Sequence, residues 1–421
     1  IASSTLFAKD PPISREEAYA VLAPAKELEE KLPNPEGIDG RVVTGYQGWF
    51  RAEGDGTGMG FHHYKNRGKF EPGHCSIDLW PDLSEFEEDE KFPTPFRHAD
   101  GSVAHVFSSL HAKTVDRHFQ RMAEYGIDGA FVQRFGVHGA KERRDSRGLQ
   151  WENEKLKLCR DAAIRHGRSW ILMYDLSGLK SEDFTRLAQD WKNLRRRMQL
   201  GTDPNDSAYL HLNGKPLVAI WGVGFGDDRE YSLEKAEWFI RLLKNNPEWG
   251  GFSIMLGVPY FWRDGTRDAT SHERFHEVLK LADILSPWAV GRYRSGEKFD
   301  AEAIREHQKA DRESAEKNSL KMLPVVFPWC SWNNLKDEES SVIPREGGKF
   351  LWRQFLATSA AGNNSAYIAM FDEIDEGTAI FKCTNDPPVG ASPFQTYEGM
   401  PSDHYLWLAG DGARLLRCEI P

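Results

Sequence analysis

Four carboxylates fall within five residues at Asp372-Glu373-Ile374-Asp375-Glu376, with Gly377 and Thr378 directly after them. The segment from Met370 to Thr378 follows an apolar run, Ala366 to Ala369, that reads as a buried strand. Like charges crowded this closely repel, and in a partly dry site at least one pKa must rise. A carboxyl group that keeps its proton near neutral pH can serve as a general acid, and an ionised neighbour as a base. The plain alternative is that these acids cap a helix or sit in a solvated loop. The elements that position them decide between the two.

Those elements alternate. After a Pro-rich, charged leader (residues 1–38) come strand-like runs at Val42 to Phe50, Ile127 to Phe135, Ser169 to Asp175, Pro216 to Gly222, Gly251 to Gly257, Asp283 to Trp288, Met322 to Trp329 and Tyr367 to Phe371. Amphipathic helical stretches separate them, at 113–125, 152–166, 181–200, 232–245, 271–281, 301–318 and 349–361, with a last at 405–416. Ser181 is the expected cap of the third. The leader is expected to hold a helix from Ser14 to about Leu32, opened by a capping box of Ser14 and Glu17. Strands this short and continuously apolar suit a parallel sheet covered on both faces. Eight strand–helix units over roughly 375 residues predict an α/β fold, the (β/α)8 TIM barrel, spanning residues 39–421 with the leader packed on it. A doubly wound open sheet is the runner-up, but no Gly-x-Gly-x-x-Gly follows the first strand. The stretch from about Arg51 to Leu110 is a long insertion after that strand, expected to form one wall of a cleft.

Composition narrows the ligand. The chain has 421 residues, 40 % hydrophobic and 28 % charged, with net charge -10, which disfavours a nucleic-acid partner. No apolar run reaches the ~18 residues of a membrane span. Fourteen Trp, twelve Tyr and twenty-four Phe exceed core needs, and many Trp follow strand-like runs. Aromatic faces stack on sugar rings, so carbohydrate is the ligand class expected first. Five Cys without a Cys-x-x-Cys pair argue against a metal cage or a disulfide framework, and Cys159 and Cys330 read as buried thiols. His62, His63 and His74 have no standard ligand spacing, so no metal and no cofactor is expected. Oligomeric state is open. A start without Met suggests a removed signal peptide, hence a secreted, periplasmic or cell-surface protein.

In a barrel of this kind the site lies at the C-terminal ends of the strands. In strand order those ends carry Tyr46 and Trp49; Gln133, Arg134 and, beyond them, His138; Tyr174 and Asp175; Trp221; Tyr260, Trp262 and Arg263; Trp288, Arg292 and Tyr293; Trp329 and Trp332; and Glu373 and Glu376. A cleft lined by Trp and Tyr with carboxylates to one side suits glycoside hydrolysis. Neither a Gly-x-Ser-x-Gly elbow nor a His partner for Cys330 supports Ser or Cys catalysis.

The segment Glu373-Ile374-Asp375-Glu376-Gly377 resembles the Glu-x-x-Glu-Gly segment of glycoside hydrolase family 99, the endo-α-mannosidases. Gly45-Tyr46-Gln47-Gly48-Trp49-Phe50 resembles that family's aromatic opening strand. Asp78-Leu79-Trp80-Pro81-Asp82, Tyr125 to Gly129 and Gln133-Arg134-Phe135 are similar to its wider 71/99-like group, whose members carry the name xylosidase/arabinosidase. The resemblance covers about residues 42–380. It implies a retaining, endo-acting α-glycosidase without a cofactor, with Glu373 deprotonating the substrate's 2-hydroxyl and Glu376 as acid/base. Tyr46, Arg134, Tyr174, Tyr260 and Tyr293 would position sugar or carboxylate, and Asp78 and Trp80 would shape subsites. Where the family has Trp between its two Glu residues, Ile374 stands, which leaves the sugar open. A non-catalytic carbohydrate-binding barrel and an exo-acting xylosidase/arabinosidase are the alternatives.

Overall fold

Successive side chains on a strand point to opposite faces, so every strand here must satisfy two layers at once. The computed structural model describes residues 11–27, 33–336 and 338–421. Six strands, Val42–Tyr46, Gly129–Phe135, Ser169–Asp175, Lys215–Trp221, Ser253–Pro259 and Ile284–Trp288, pair in parallel in chain order. The seventh is split. Lys321–Met322 pairs with the sixth strand, and Val325–Val326 pairs with the eighth, Ala366–Ile368, which in turn pairs with the first. Pro324, with no N–H to give, sits in the break, and its carbonyl accepts from Tyr367 at 2.8 Å. The ring therefore closes as an eight-stranded parallel barrel, the (β/α)8 architecture.

A helix follows each strand: Ala112–Glu124, Arg147–His166, Phe184–Asn193, Leu233–Asn245, Phe275–Leu279, Ala301–Lys317, Lys349–Ala360 and His404–Leu416. Ser232 and Asp300 cap the fourth and sixth through their side chains. Three boundaries differ from expectation. The third helix is not capped by Ser181: a 3-10 turn, Ser181–Asp183, precedes it, and Leu194–Met198 closes it as a π turn ended by Gln199 at φ 51°. The fifth is one turn long. The leader helix keeps its Ser14/Glu17 capping box but spans only Arg15–Ala20. Pro24 just beyond bars its continuation, and the expected end near Leu32 lies outside the described residues.

The insertion is not structureless. It folds around Tyr64, Phe70, Trp80, Phe96 and Phe107, all buried, and carries the hairpin Phe92–Arg97/Val103–Val106. Single bridges (Leu79 with Gln395, Pro81 with Cys383, Arg97 with Val389) tie it to the segment after the last strand. The barrel interior is narrow at its first strand: a Cβ on Gly45 would meet the Tyr367 hydroxyl at 2.1 Å, so only glycine fits.

Alternation removes Arg134 and Tyr174 from the expected substrate site. They lie side by side in register and face the helix layer, not the mouth. Arg134 donates to both oxygens of Asp190, at 2.8 and 2.6 Å, and to Asn153 at 3.0 Å. The hydroxyls of Tyr174 and of Tyr19, on the leader helix, also donate to Asp190, at 2.7 and 2.6 Å. Burial alone would raise the Asp190 pKa, but the guanidinium and these donors outweigh it and hold it below the usual range. Arg134→Met, which leaves this carboxylate buried without its cation, is expected to cost about 3–5 kcal/mol in urea unfolding. Tyr19→Phe, which removes one donor of four, is expected to cost about 1 kcal/mol.

Candidate active site at the barrel mouth

Beyond Ile368 the chain leaves the sheet and doubles back. The Ala369–Met370 peptide is cis. Met370 N–H donates to the Thr378 carbonyl at 3.1 Å, Ala379 N–H to Glu373 at 3.1 Å and Phe381 N–H to Phe371 at 3.0 Å. Gly377 makes the reversal at φ 67°, where a Cβ would press Ser331 at 3.2 Å. This tight loop holds all four acids. Asp372, Glu373 and Asp375 are buried, and Glu376 is half-buried.

Three parts of the chain grip the loop. From the first strand, the N–H groups of Gln47 and Gly48 donate to the two oxygens of Asp372, each at 2.8 Å, and the Gln47 amide donates to Glu373 at 2.8 Å. Thr378 gives Glu373 its second donor at 2.5 Å. Buried Lys155 holds the Gln47 carbonyl at 2.9 Å. From the insertion, Asp78 N–H donates to the Ile374 carbonyl at 2.9 Å. From the seventh unit, Ser331 N–H donates to the Glu376 carbonyl at 2.9 Å, and buried Arg345 donates to the carbonyls of Gly377 and Ala379 at 2.8 and 2.9 Å.

The electrostatics follow from burial among like charges. Desolvation, then Glu376 and Asp375, push Glu373 well above the ordinary carboxylate range, against the pull of Thr378 and Gln47. Desolvation and Glu376 do the same to Asp375. Desolvation raises Asp372 to about 6. It raises Glu376 too, with Asp175 adding to it while the Trp332 indole and Lys336 oppose. The four acids cannot all ionise near neutral pH, which leaves a proton available for transfer.

Around them stand Asp175, Trp221 and Phe135, which share one face in register. Trp221 meets Trp288 edge to face at 5.5 Å, and Trp288 meets Tyr367 at 6.5 Å. Trp329 is buried with Arg345 over its ring at 4.8 Å, and Trp332 has Lys336 over its ring at 3.8 Å. Trp49 stacks on His63 at 4.1 Å, and His63 Nδ1 is 3.4 Å from Asp375. Eight of the fourteen tryptophans fall into two groups. Trp80, Trp170 and Trp191, in the core, donate their indole N–H to His105, Asp206 and Trp249. Trp49, Trp221, Trp262 and Trp329, each after a strand end, have no acceptor in hydrogen-bond geometry, and the Trp332 indole faces Glu376. Buried indoles normally find one.

Other expected site residues do not come to the mouth. Tyr46 points outward, and its hydroxyl meets His118 at 2.9 Å against Phe119 and Phe371. Gln47, the next residue and so on the other face, reaches the acids instead. Asp78 is a pin: fully buried, it accepts from Ser331 and from the N–H groups of Asn333 and Asn334 at 2.9 and 2.8 Å. Trp80 lies in the insertion core. Tyr260 stacks on His307 in the helix layer at 4.2 Å. The Tyr293 hydroxyl donates to Gln354 at 2.9 Å among Phe299, Phe327 and Phe350. Arg263 and Arg292 pair with Asp311 and Asp268. Among the described residues no three His, Cys, Asp or Glu side chains are placed to hold a metal ion, so His62, His63 and His74 do not assemble. Gln47, Arg345 and His63 are the residues that strand-end reading missed as site members.

No family model matches the chain, and no curated protein matches its sequence. Solved structures do match in shape. The glycoside hydrolase family 99 endo-α-mannosidase from Bacteroides thetaiotaomicron superposes with a TM-score of 0.64 at 14 % identity, over 91 % of this chain and 99 % of that one. A second structure of that description, in complex with bis-tris propane, gives 0.62. A glycoside hydrolase-like protein gives 0.55 at 10 % identity, over 95 % and 99 % of the two chains. The chain shares their fold.

The raised carboxylates have a cost that can be measured. A folded-state pKa above the unfolded value means that the fold binds the proton more tightly, so stability falls as pH rises from about 4. Asp375→Asn removes one of these charges and keeps an acceptor for His63. It is expected to stabilise the protein at pH 8 by on the order of 1–3 kcal/mol, the cost of an ill-satisfied buried polar group. The gain should shrink toward pH 4, as read by denaturant titration across pH.

Proposed function

We propose that the protein is an O-glycosyl hydrolase that cleaves α-linked glycosidic bonds through Glu373 and Glu376. The observation that carries this is the pairing of two acids in different settings. Glu373 is buried and fixed by a donor on each oxygen, which gives it one orientation, while burial and the neighbouring acids keep its basicity high. Glu376 is half-buried beside Trp332, where it can exchange its proton with a ligand and with solvent. A fixed base of raised pKa and an accessible acid of raised pKa are what proton abstraction and leaving-group protonation need near neutral pH. In the proposed sequence Glu373 takes the proton of the sugar 2-hydroxyl as that oxygen attacks C1. Glu376 protonates the departing oxygen. Glu376 then removes a proton from the water that opens the anhydro sugar, and the 2-oxygen recovers its proton from Glu373. Configuration is retained over the two steps. The shape shared with an endo-α-mannosidase supports endo action on an α-mannose-type glycan, and the free indole N–H groups support a carbohydrate ligand.

Glu376→Gln and Glu373→Gln are each expected to lower product release from an α-linked glycan panel by about 10²–10⁴-fold while binding persists. Binding by wild type with no release from any member would establish a carbohydrate-binding barrel instead. Gln47 lowers the Glu373 pKa, so Gln47→Ala raises it and the base ionises later. The acid limb of the pH–rate profile is then expected to move to higher pH; a limb that stays in place would separate Glu373 from the base role.

A further inference from the structure

Next to the carboxylate loop lies a cleft whose charge runs against that of the chain. The protein carries net charge -10, yet Arg15, Arg51, Lys141 and Arg143 all line this cleft. Among the described residues none of the four has a carboxylate within 4.0 Å, whereas Arg117, Arg121 and Arg134 all do. The one acid on the wall, Glu152, is neutralised by Lys155 at 2.8 Å. Arg51 is the built part of the site. It is 2 % exposed, its Nη1 is fixed on the carbonyls of Gly48 and Phe50 at 2.9 Å each, and its Nε has no partner. Burial and Arg51 keep His63 below its ordinary pKa, so His63 is neutral near pH 7 and the charge of the cleft comes from arginine and lysine. The stacked pair Trp49–His63 forms the shared wall between this cleft and Asp375.

We propose that this cleft binds an anionic substituent of the glycan, a sulfate ester or a uronate carboxylate, on a sugar next to the bond that is cleaved. Guanidinium forks suit both oxyanions. A neutral sugar would leave the four cations without a counter-charge, whereas an anion in the cleft supplies one. The link to cleavage rests on the hydrolase reading above; the binding preference does not.

The test uses Glu376→Gln protein, which cannot turn over, and four polymers. These are a sulfated α-glycan, the same polymer after desulfation, an α-linked polyuronate and its carboxyl-reduced form. Affinity electrophoresis at about 50 and about 300 mM salt reads the charge dependence. At least one acidic polymer should bind about tenfold or more tightly than its neutral counterpart, as a charged hydrogen bond implies, and the successful pair names the source of the anion. Lys141→Ala/Arg143→Ala, both at the cleft rim, should abolish that preference. Equal binding of acidic and neutral forms, a preference that survives the double substitution, or no binding at all overturns the inference. Hydrolysis by the unsubstituted protein is followed in parallel. Acid preference without any cleavage overturns the hydrolase reading alone, and cleavage of the neutral forms without acid preference overturns this inference alone.

Discussion

Burying three acidic side chains in one loop is the constraint on which the rest of the molecule depends. The fold meets it with oriented dipoles rather than counter-charges. Asp372 receives two backbone N–H groups and Glu373 an amide and a hydroxyl; among the described residues no Arg or Lys forms an ion pair with any of the four acids. Asp190 shows the other solution. There a guanidinium sits on the carboxylate, the pKa falls, and the group is inert. Both groups are fully buried, so burial is not what separates them. A cation would have held the loop as well but would have drained its proton, whereas neutral donors fix geometry and leave the pKa high.

That choice explains why so much of the chain converges on the loop. Dipoles hold weakly one at a time, so several must come from rigid elements at once. The end of the first strand supplies Gln47 and Gly48. The insertion supplies Asp78, which also gathers Ser331, Asn333 and Asn334, so that it joins the first and seventh units to the eighth. Arg345 holds the back of the loop by its carbonyls while Trp329, Tyr397 and Tyr405 cover its own charge. The long insertion is thus a support for the acids as much as a wall of the cleft.

Much of this was legible in the sequence because parallel strands read as short apolar runs, and because a closed barrel places every strand end on one rim. The eight units, the acid loop and the tryptophans follow from that. Side-chain direction did not follow from strand ends alone. Tyr46, Arg134 and Tyr174 stand beside rim residues in sequence but one step out of phase, and face the helices; Gln47 and Asp175, one step on, face the mouth. Counting by two from Gly45 would have found Gln47. Nothing local could have found Arg345, or the role of Asp78, since their partners lie far along the chain. The helix ends differ where Pro24 and a π turn intervene, features that periodicity does not register.

The nearness of a cationic cleft to carboxylates that must keep a proton raises a physical difficulty, since positive charge lowers carboxylate pKa values. The arrangement avoids it by what lies between. Trp49 and His63 are stacked nearly parallel, with Phe135 on Trp49 at 5.5 Å, and form an uncharged partition. The strongest influences on Glu373 beyond burial are Glu376, Asp375, Thr378 and Gln47, and on Glu376 they are Trp332, Lys336 and Asp175, none of them a cation of the cleft. Arg51 acts on His63 itself. A protonated His63 would place a positive charge 3.4 Å from Asp375; a neutral one does not. The histidine that resembled a metal ligand in the sequence is thus an uncharged spacer between a cationic cleft and acids of raised pKa.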